Sequence, residues 1–204
     1  DIEDVALPVY EGRMIGQFDP SEKGWVSGKG RSAVWRDIPF YEKVIEPQFL
    51  MRTNDFVGQL DRDGNPKSAR GAKLCFMDVG SATNSRSMIS SVVHDAPCGN
   101  KVPVLKTGAN PYGLCVALNS FAYDFGMRAR LGGLTLNYFL VEETALPDKS
   151  RFIDALNAIG RSLLEVFPYF CANKAKPRYK PALRDHERRR LRAISDALVA
   201  ESFA

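Results

Sequence analysis

The chain has few of the residues on which metal centres and disulfide frameworks depend. Its four cysteines include no C-x-x-C pair, and its two histidines, His94 and His186, allow no zinc-ligand spacing. It also lacks a run of about 18 apolar residues, the minimum for a membrane-spanning helix. The scattered cysteines favour reduced thiols. These absences predict a cytoplasmic protein without membrane contact, associated at most with the bacterial nucleoid.

The first residues, DIEDVALPVYEG, contain no initiating methionine, no basic stretch and no apolar stretch, so they do not form a signal peptide. We expect the chain to be a segment of a longer protein. Its 204 residues are enough for one hydrophobic core with a helical appendage. We predict one domain, in which residues 1–147 are strand-rich and residues 148–204 form a helical bracing region.

Positive charge is concentrated near the C-terminus. The net charge is +4, and residues 151–204 contain 11 Lys and Arg against 6 Asp and Glu, which leaves 17 against 18 for the rest. Two explanations fit this excess: a polyanionic partner, or a solvated helical face.

Short apolar stretches broken by glycine and proline predict strands in the first half of the chain. These are RMIGQF (13–18), SAVWR (32–36), PQFLM (47–51), AKLCFMDV (72–79), SMISSVV (87–93) and NKVPVL (100–105). In the fourth, alternation places Cys75, Met77 and Val79 on one face. SGKGRS, residues 27–32, is expected to be a loop, and Trp25 and Trp35 are expected to be core residues.

The hydrophobic period becomes helical after Asn110. That residue suits an N-cap, Pro111 suits the first turn and Gly132 suits the end of the helix. The apolar positions that predict one buried helix here are Leu114, Leu118, Phe121 and Phe125. TLNYFLVEETAL (135–146) predicts a further strand, and residues 150–170 and 183–202 predict two helices. Strands followed by helices predict an α+β fold: an irregular strand-rich region with a buried helix, then C-terminal helices.

Catalytic motifs are incomplete. NPYG (110–113) lacks the second proline of the Asn-Pro-Pro-Tyr motif and is better explained by helix capping. GWVSGKGRS (24–32) lacks the spacing of a phosphate-binding loop. In DRDGN (61–65) the glycine comes two positions too early for a calcium loop, and Ala72 occupies the position of the bidentate glutamate. We therefore predict no catalytic residues, no metal site and no cofactor site in this chain.

Five ordered segments resemble a known family. They are LPVYEGRMIGQFD (7–19), FMDVGSATNSRSMISSVV (76–93), GNKVPVL (99–105), ALNSFAYDFGMRARLGGLTLNYFLVEETALP (117–147) and ERRRLRAISDALVA (187–200). Together they are similar to the region downstream of the catalytic domain in large adenine-specific DNA methyltransferases. That family includes single-chain type IIG restriction-modification enzymes and phage-resistance methylases.

The resemblance implies a target recognition domain, which docks on double-stranded DNA and selects the sequence in which adenine N6 is methylated. In the family, S-adenosylmethionine and the flipped adenine are bound by an upstream catalytic domain. The resemblance therefore implies that this chain is not an enzyme on its own. It also implies two partners: double-stranded DNA and the upstream methyltransferase domain of the same polypeptide.

Three polar segments are the candidate DNA contacts, because short side chains fixed on turns offer donors and acceptors at little entropic cost. The first is the polar loop, residues 83–87, and the other two lie near residues 100 and 130. The candidates are Thr83, Asn84, Ser85, Arg86, Ser87, Asn100, Lys101, Arg128, Arg130, Gly132, Gly133, Thr135 and Asn137. Arg86 adds a forked donor suited to a phosphate or to guanine.

Each segment also has a structural alternative. The polar loop can be a plain turn in which Arg86 pairs with a nearby carboxylate. Gly99 and Asn100 suit a turn with positive φ. Arg128 and Arg130 suit the end of a helix, where they stabilise its dipole, and Thr135 and Asn137 would share one face of the next strand.

A structural role is favoured for the arginines near the C-terminus, which are Arg188, Arg189, Arg190 and Arg192. They lie on a helix with a predicted apolar stripe of Leu191, Ile194 and Leu198, and Arg192 can pair with Asp196. Two other functions remain open: a nuclease-type domain of a restriction or defence system, and a protein-interaction module of such a complex.

Overall fold

The structure, a computed structural model, describes residues 6–58, 71–81, 83–147, 152–166 and 179–203. The strands are β1 (Ala6–Pro8), β2 (Lys23–Ser27), β3 (Val34–Asp37), β4 (Leu50–Arg52), β5 (Ala72–Phe76), β6 (Ser90–His94) and β7 (Val104–Leu105). The α-helices are α1 (Thr53–Val57), α2 (Pro111–Leu118), α3 (Phe121–Arg128), α4 (Tyr138–Glu143), α5 (Ile153–Leu164) and α6 (Asp185–Glu201). Short 3₁₀ helices occupy Gly12–Met14, Gly30–Ser32 and Phe40–Glu42. The fold is of the predicted α+β class.

The described strands form three small antiparallel sheets. β1 pairs with β4, and β2 pairs with β3 so that Trp25 lies opposite Trp35. In the third sheet β5 lies between β6 and β7. The predicted strands within residues 32–36, 47–51, 72–79, 87–93 and 100–105 are confirmed over part of their length. The strand predicted in RMIGQF is wrong, because Gly12–Met14 is a 3₁₀ helix and Phe18 has a φ of 59°.

Side chains of β5 alternate between two hydrophobic cores. Leu74 and Phe76 belong to the larger core, with residues of α2, α3, α5 and α6. Cys75 belongs to the smaller core, against which Met77 packs, as the alternation predicts. The other buried members of the smaller core are Tyr10, Met14, Ile15, Val93, Ala96 and Val102. Val79, at the end of the same row, is exposed.

The long buried helix predicted after Asn110 is in fact two helices. Asn110 caps α2 as predicted, because its side chain accepts from the Tyr112 amide at 3.0 Å. The break falls at Asn119, whose side chain is bound to β6: Oδ1 accepts from Ser90 N at 2.9 Å and Nδ2 donates to Ser90 O at 2.8 Å. Ser120 then caps α3 by accepting from Tyr123 N at 3.2 Å.

The break changes which residues are buried. Phe121 is 62% exposed and Phe125 is 78% exposed, although helical spacing after Asn110 predicted both to be core residues. A new helix axis begins at Ser120, so the apolar period of α2 does not continue into α3. α3 ends at Arg128, before the predicted stop at Gly132.

The strand predicted in residues 135–146 is also wrong. Thr135 forms a single bridge with Val79, and the chain then turns into α4. Val141 is buried on that helix, and its carbonyl accepts from the Tyr123 hydroxyl at 2.7 Å. Contacts with α3 therefore outweigh the strand propensity of this segment.

The two predicted C-terminal helices are confirmed over most of their described length as α5 and α6, and the predicted ends at residues 150–151 and 167–170 lie outside the described residues. Leu156 and Leu163 of α5 are buried in the larger core. α5 approaches α2 so closely that a Cβ at Gly160 would come within 2.5 Å of the Tyr112 carbonyl oxygen. Glycine at this position therefore permits the close packing of the two helices.

The buried face of α6 differs from the predicted apolar stripe. Leu191 and Leu198 pack against the larger core, but Ile194 is 38% exposed. Arg188 and Val199 are among the buried residues of the helix. An arginine thus lies in the interior beside the leucines of the predicted stripe, in the structural role that was favoured for it.

Arg192 does not form the predicted pair with Asp196. Its Nη2 donates instead to the carbonyl of Gln17 at 2.8 Å. Asp196 is occupied elsewhere, because its Oδ1 accepts from the Phe121 amide at 2.8 Å. Both residues have the structural role that was expected for this helix, but with different partners.

Candidate nucleic-acid interface

The three candidate segments meet around Asp78, just after β5. Lys101 Nζ donates to Asp78 Oδ2 at 2.7 Å, and the Leu136 amide donates to the Asp78 carbonyl at 2.6 Å. Val79 and Thr135 form an isolated antiparallel bridge, and the polar loop follows this bridge along the chain. Segments far apart in sequence therefore contribute to one surface.

Asp124 on α3 fixes the end of the polar loop. Its Oδ1 accepts from the amides of Ser87 and Met88 at 2.8 and 2.7 Å, and its Oδ2 accepts from Arg128 Nε at 2.8 Å. Arg128 Nη2 also donates to the carbonyl of Asn84 at 2.5 Å. Because the Asp124 carboxylate is buried, these bonds hold the loop firmly against the helix.

Only part of the polar loop faces solvent. Thr83, Asn84 and Ser85 are exposed. Ser87 is buried, and its hydroxyl donates to the carbonyl of Ser81 at 2.8 Å. Ser87 therefore closes the base of the loop, while the three residues before Arg86 present its polar surface.

Arg86 packs against α3 and α6. Its guanidinium lies over the Phe121 ring, 3.3 Å from the centroid, and its Nη2 lies 3.6 Å from Asp196 Oδ2. The side chain is 15% exposed, and burial lowers the pKa of Arg86. This is the geometry of the carboxylate-pairing alternative. Arg86 fastens the polar loop to two helices.

The second segment lies in a turn, but without the predicted backbone conformation. Neither Gly99 nor Asn100 has a positive φ. Glycine suits position 99 for another reason, because a Cβ there would make a tight contact of 3.1 Å with the Tyr10 carbonyl oxygen. Asn100 is exposed, and the Lys101 side chain is 59% exposed although it pairs with Asp78.

The third segment is largely exposed. Its exposed candidates are Arg130, Gly132, Gly133, Thr135 and Asn137. Arg130 Nη1 lies 3.2 Å from Glu143 Oε2 at the surface. A Cβ at Gly132 or Gly133 would meet nothing within 4 Å, so the packing of the chain itself does not require glycine there. These two residues leave space for the close approach of another molecule.

Exposed cations that the sequence analysis did not select lie beside this surface. Arg13 and Gly30 line the same cavity as Lys101, and Lys29 and Arg31 flank Gly30 at the tip of the β2–β3 hairpin. In the described part of the chain, Arg13, Lys29 and Arg31 form no ion pair. The sequence feature that could have identified Lys29 and Arg31 is SGKGRS, the glycine-rich segment that contains both.

Buried thiols are kept in their protonated form. Burial raises the pKa of Cys98 to about 11 and that of Cys115 to about 12, and it raises the pKa of Cys75 well above its ordinary value. A thiol must ionise to act as a nucleophile. Burial therefore disfavours the thiolate form at these three positions.

The chain matches no family model, no curated protein and no solved structure. None of the described helices combines the length and apolar character needed to cross a membrane. Among the residues that the structure describes, no three His, Cys, Asp or Glu side chains are grouped so as to hold a metal ion.

Proposed function

We propose that this chain is the sequence-specific, double-stranded DNA recognition module of an adenine-N6 DNA methyltransferase of a restriction-modification or phage-defence system. The observation that supports this proposal is the convergence around Asp78 of three separate segments that share polar, exposed residues. A DNA-reading surface needs such residues on a firmly held backbone.

In this proposal the exposed groups have two roles. Lys101, Lys29 and Arg31 contact phosphates, which determine affinity and register but carry no sequence information. Thr83 and Asn84 supply hydroxyl and amide groups that can reach base edges. The bonds from Asp124 to the base of the polar loop limit the conformations that these groups sample.

The upstream methyltransferase domain would bind S-adenosylmethionine and perform the transfer. Exposed aromatic side chains offer a surface for that domain: Phe125 on α3 is 78% exposed and Phe139 on α4 is 58% exposed. Apolar surface of this kind is typical of protein contacts. The same observation favours a second candidate function, a protein-interaction module within a defence complex.

Selection from a random duplex library separates the two functions. We expect the chain to enrich a defined sequence, and we expect fluorescence anisotropy to show affinity that falls steeply with salt concentration. Duplex binding that is absent at low salt would contradict the proposal and leave the protein-interaction function.

Calorimetric titration with S-adenosylmethionine tests whether the cofactor site lies outside this chain. We expect no heat of binding, because the cofactor site is proposed to lie in the upstream domain. Saturable binding with one site per chain would place the cofactor site in this chain and contradict its assignment to the upstream domain.

A further inference from the structure

A cavity of about 540 Å³ opens beside the proposed DNA surface. Its lining comes from residues 11–13, 48–49 and 77–79, and from Gly30, Ala33, Trp35 and Lys101. These segments are held together by the pairing of β2 with β3 and by the contact between Lys101 and Asp78. The volume lies within the range of about 300–1,000 Å³ that is typical of small-molecule sites.

Flat and apolar groups line part of this cavity. Trp35 is half-buried, and Phe49 is 50% exposed although its ring is large and apolar. Val79 is 49% exposed at the same cavity. Accessible aromatic rings stack favourably on nucleobases, because every base has a π-face.

Cations line another part of the same cavity. Arg13 is exposed, and the Lys101 side chain is 59% exposed. Together they give the site two positive groups next to its aromatic surface. That combination suits a ligand with both a ring and a negative charge, because guanidinium and ammonium groups are strong partners for phosphate oxygens.

Two carboxylate oxygens at the cavity have no hydrogen-bond partner in the described part of the chain. They are Asp78 Oδ1 and Glu11 Oε2, and neighbouring atoms cover both from solvent. The Asp78 side chain is only 10% exposed. A buried acceptor without a donor is unfavourable, because it has lost its contact with water and gained no hydrogen bond. A side-chain rotation toward the cavity would let either oxygen accept from an exocyclic amino group.

We propose that this cavity binds one nucleotide, with the base against Trp35 and Phe49 and the phosphate near Arg13 and Lys101. The orphan acceptor of Asp78 favours a base that carries an amino group, so adenine, cytosine and guanine should bind more tightly than thymine. A free nucleotide and an unstacked nucleotide of a DNA strand share this chemistry. That DNA is the source rests on the function proposed above.

Amide NMR of the full chain tests the site directly. We expect dAMP and dCMP to shift the signals of Trp35, Val79 and Lys101 saturably, and dTMP to bind at least about threefold more weakly. Inorganic phosphate is the control for charge alone. Equal affinity for phosphate and for the nucleotides would overturn the proposal, because the base would then contribute nothing. So would the absence of shifts with every nucleotide and with a single-stranded oligonucleotide.

Two variants locate the binding. Phe49→Ala removes an exposed ring from the cavity, and Tyr41→Ala removes a ring that is 79% exposed outside it. We expect about tenfold weaker nucleotide binding for Phe49→Ala, from lost stacking, and no change for Tyr41→Ala. Melting curves verify that both variants are folded. Equal affinity in the two folded variants would exclude the cavity as the site.

The source of the nucleotide is distinguished by comparing free dAMP with oligonucleotides. Tighter binding of a single strand, with the same shifted signals, indicates a DNA nucleotide, whereas equal affinity indicates a free nucleotide as the ligand. Duplex binding measured by anisotropy is a separate readout, because Lys29 and Arg31 contribute to it without lining the cavity, although Lys101 belongs to both surfaces. If duplex binding persists without nucleotide binding, only the cavity proposal fails. If nucleotides bind but duplexes do not, the function proposed above fails alone.

Discussion

Two groups of cationic side chains lie in contrasting surroundings. On α6, Arg188 is buried and donates to the carbonyls of Leu163 at 2.8 Å and Phe18 at 3.0 Å. Around the β2–β3 hairpin, Lys29 and Arg31 are exposed and form no ion pair with any described residue. Arg188, like Arg192, is used within the fold, whereas Lys29 and Arg31 remain available for a ligand.

The comparison shows that cationic residues in a sequence do not map directly onto a binding surface. The C-terminal region contains the excess of positive charge, yet Arg188 and Arg192 use their guanidinium groups on backbone carbonyls. Arg86 behaves like them, since it stacks on Phe121 and approaches Asp196. The candidate phosphate contacts lie instead within residues 1–150, whose charge is nearly balanced.

The largest effect is expected from Arg188→Met. Arg188 satisfies carbonyl groups of three residues, and its guanidinium lies 4.0 Å from the centroid of the Phe40 ring. Its removal leaves those acceptors buried and unpaired, so urea denaturation should show a loss of about 3–5 kcal/mol in unfolding free energy. The exposed neighbour Arg190 provides the matched control, because Arg190→Met should change stability by less than about 0.5 kcal/mol. Equal losses of unfolding free energy in the two variants would show that the buried arginine contributes no more to the fold than an exposed one.

Arg86→Ala should have a smaller effect on stability. Loss of the stacked guanidinium is expected to lower the unfolding free energy by about 1–2 kcal/mol. DNA affinity of the folded variant should change less than about twofold, because the side chain is directed to Phe121 and Asp196.

Denaturation and anisotropy at two salt concentrations decide between the possible roles of Arg86. Unchanged stability with a salt slope reduced by about one would instead identify Arg86 as a phosphate contact. A loss of about 1–3 kcal/mol on the cognate sequence alone would identify a base contact.

The exposed group should respond in the opposite way. A double variant, Lys29→Gln with Arg31→Gln, is expected to keep the parent melting temperature and to lower duplex affinity about fivefold to tenfold. Its salt slope should fall by about two, because two fewer counterions are released. A matched double variant on α6, Arg189→Gln with Arg190→Gln, removes the same charge and should leave the slope unchanged. A larger loss of duplex affinity in the α6 variant would indicate that DNA binds at that helix and not at the hairpin.

The smallest effect is expected from protonation of His94. Its pKa is lowered by burial from the ordinary 6.5, so the unfolded chain takes up the proton first as the pH falls. The stability that neutral His94 contributes is therefore lost as the pH falls below about 6.5, until His94 is protonated in the folded protein as well. Between about pH 7 and pH 5.5 the loss is at most about 1.3 kcal/mol.

Comparing His94→Gln with His186→Gln isolates this contribution. The first variant should show a flatter dependence of unfolding free energy on pH than the parent, and the variant at the exposed His186 is the control for loss of a histidine. Identical slopes in all three proteins would show that His94 does not contribute to the pH dependence.

Local pattern was sufficient for the elements whose own residues decide their structure. The strands within SAVWR, AKLCFMDV and SMISSVV, the capping of α2 by Asn110, and the two C-terminal helices follow from alternation, capping chemistry and helical period. The exposure of Thr83, Asn84 and Ser85 likewise agrees with the polar pattern. None of these predictions requires knowledge of distant residues.

Tertiary contacts decided the remainder, because a side chain's partner need not be near it in sequence. Asn119 breaks the predicted long helix by bonding to β6, and α4 replaces a predicted strand where Val141 packs against α3. Burial of Arg188 depends on carbonyls that are distant in the chain, including that of Phe18. The sequence alone determined which segments are polar, and the packing determined which of their charges remain free to meet a ligand.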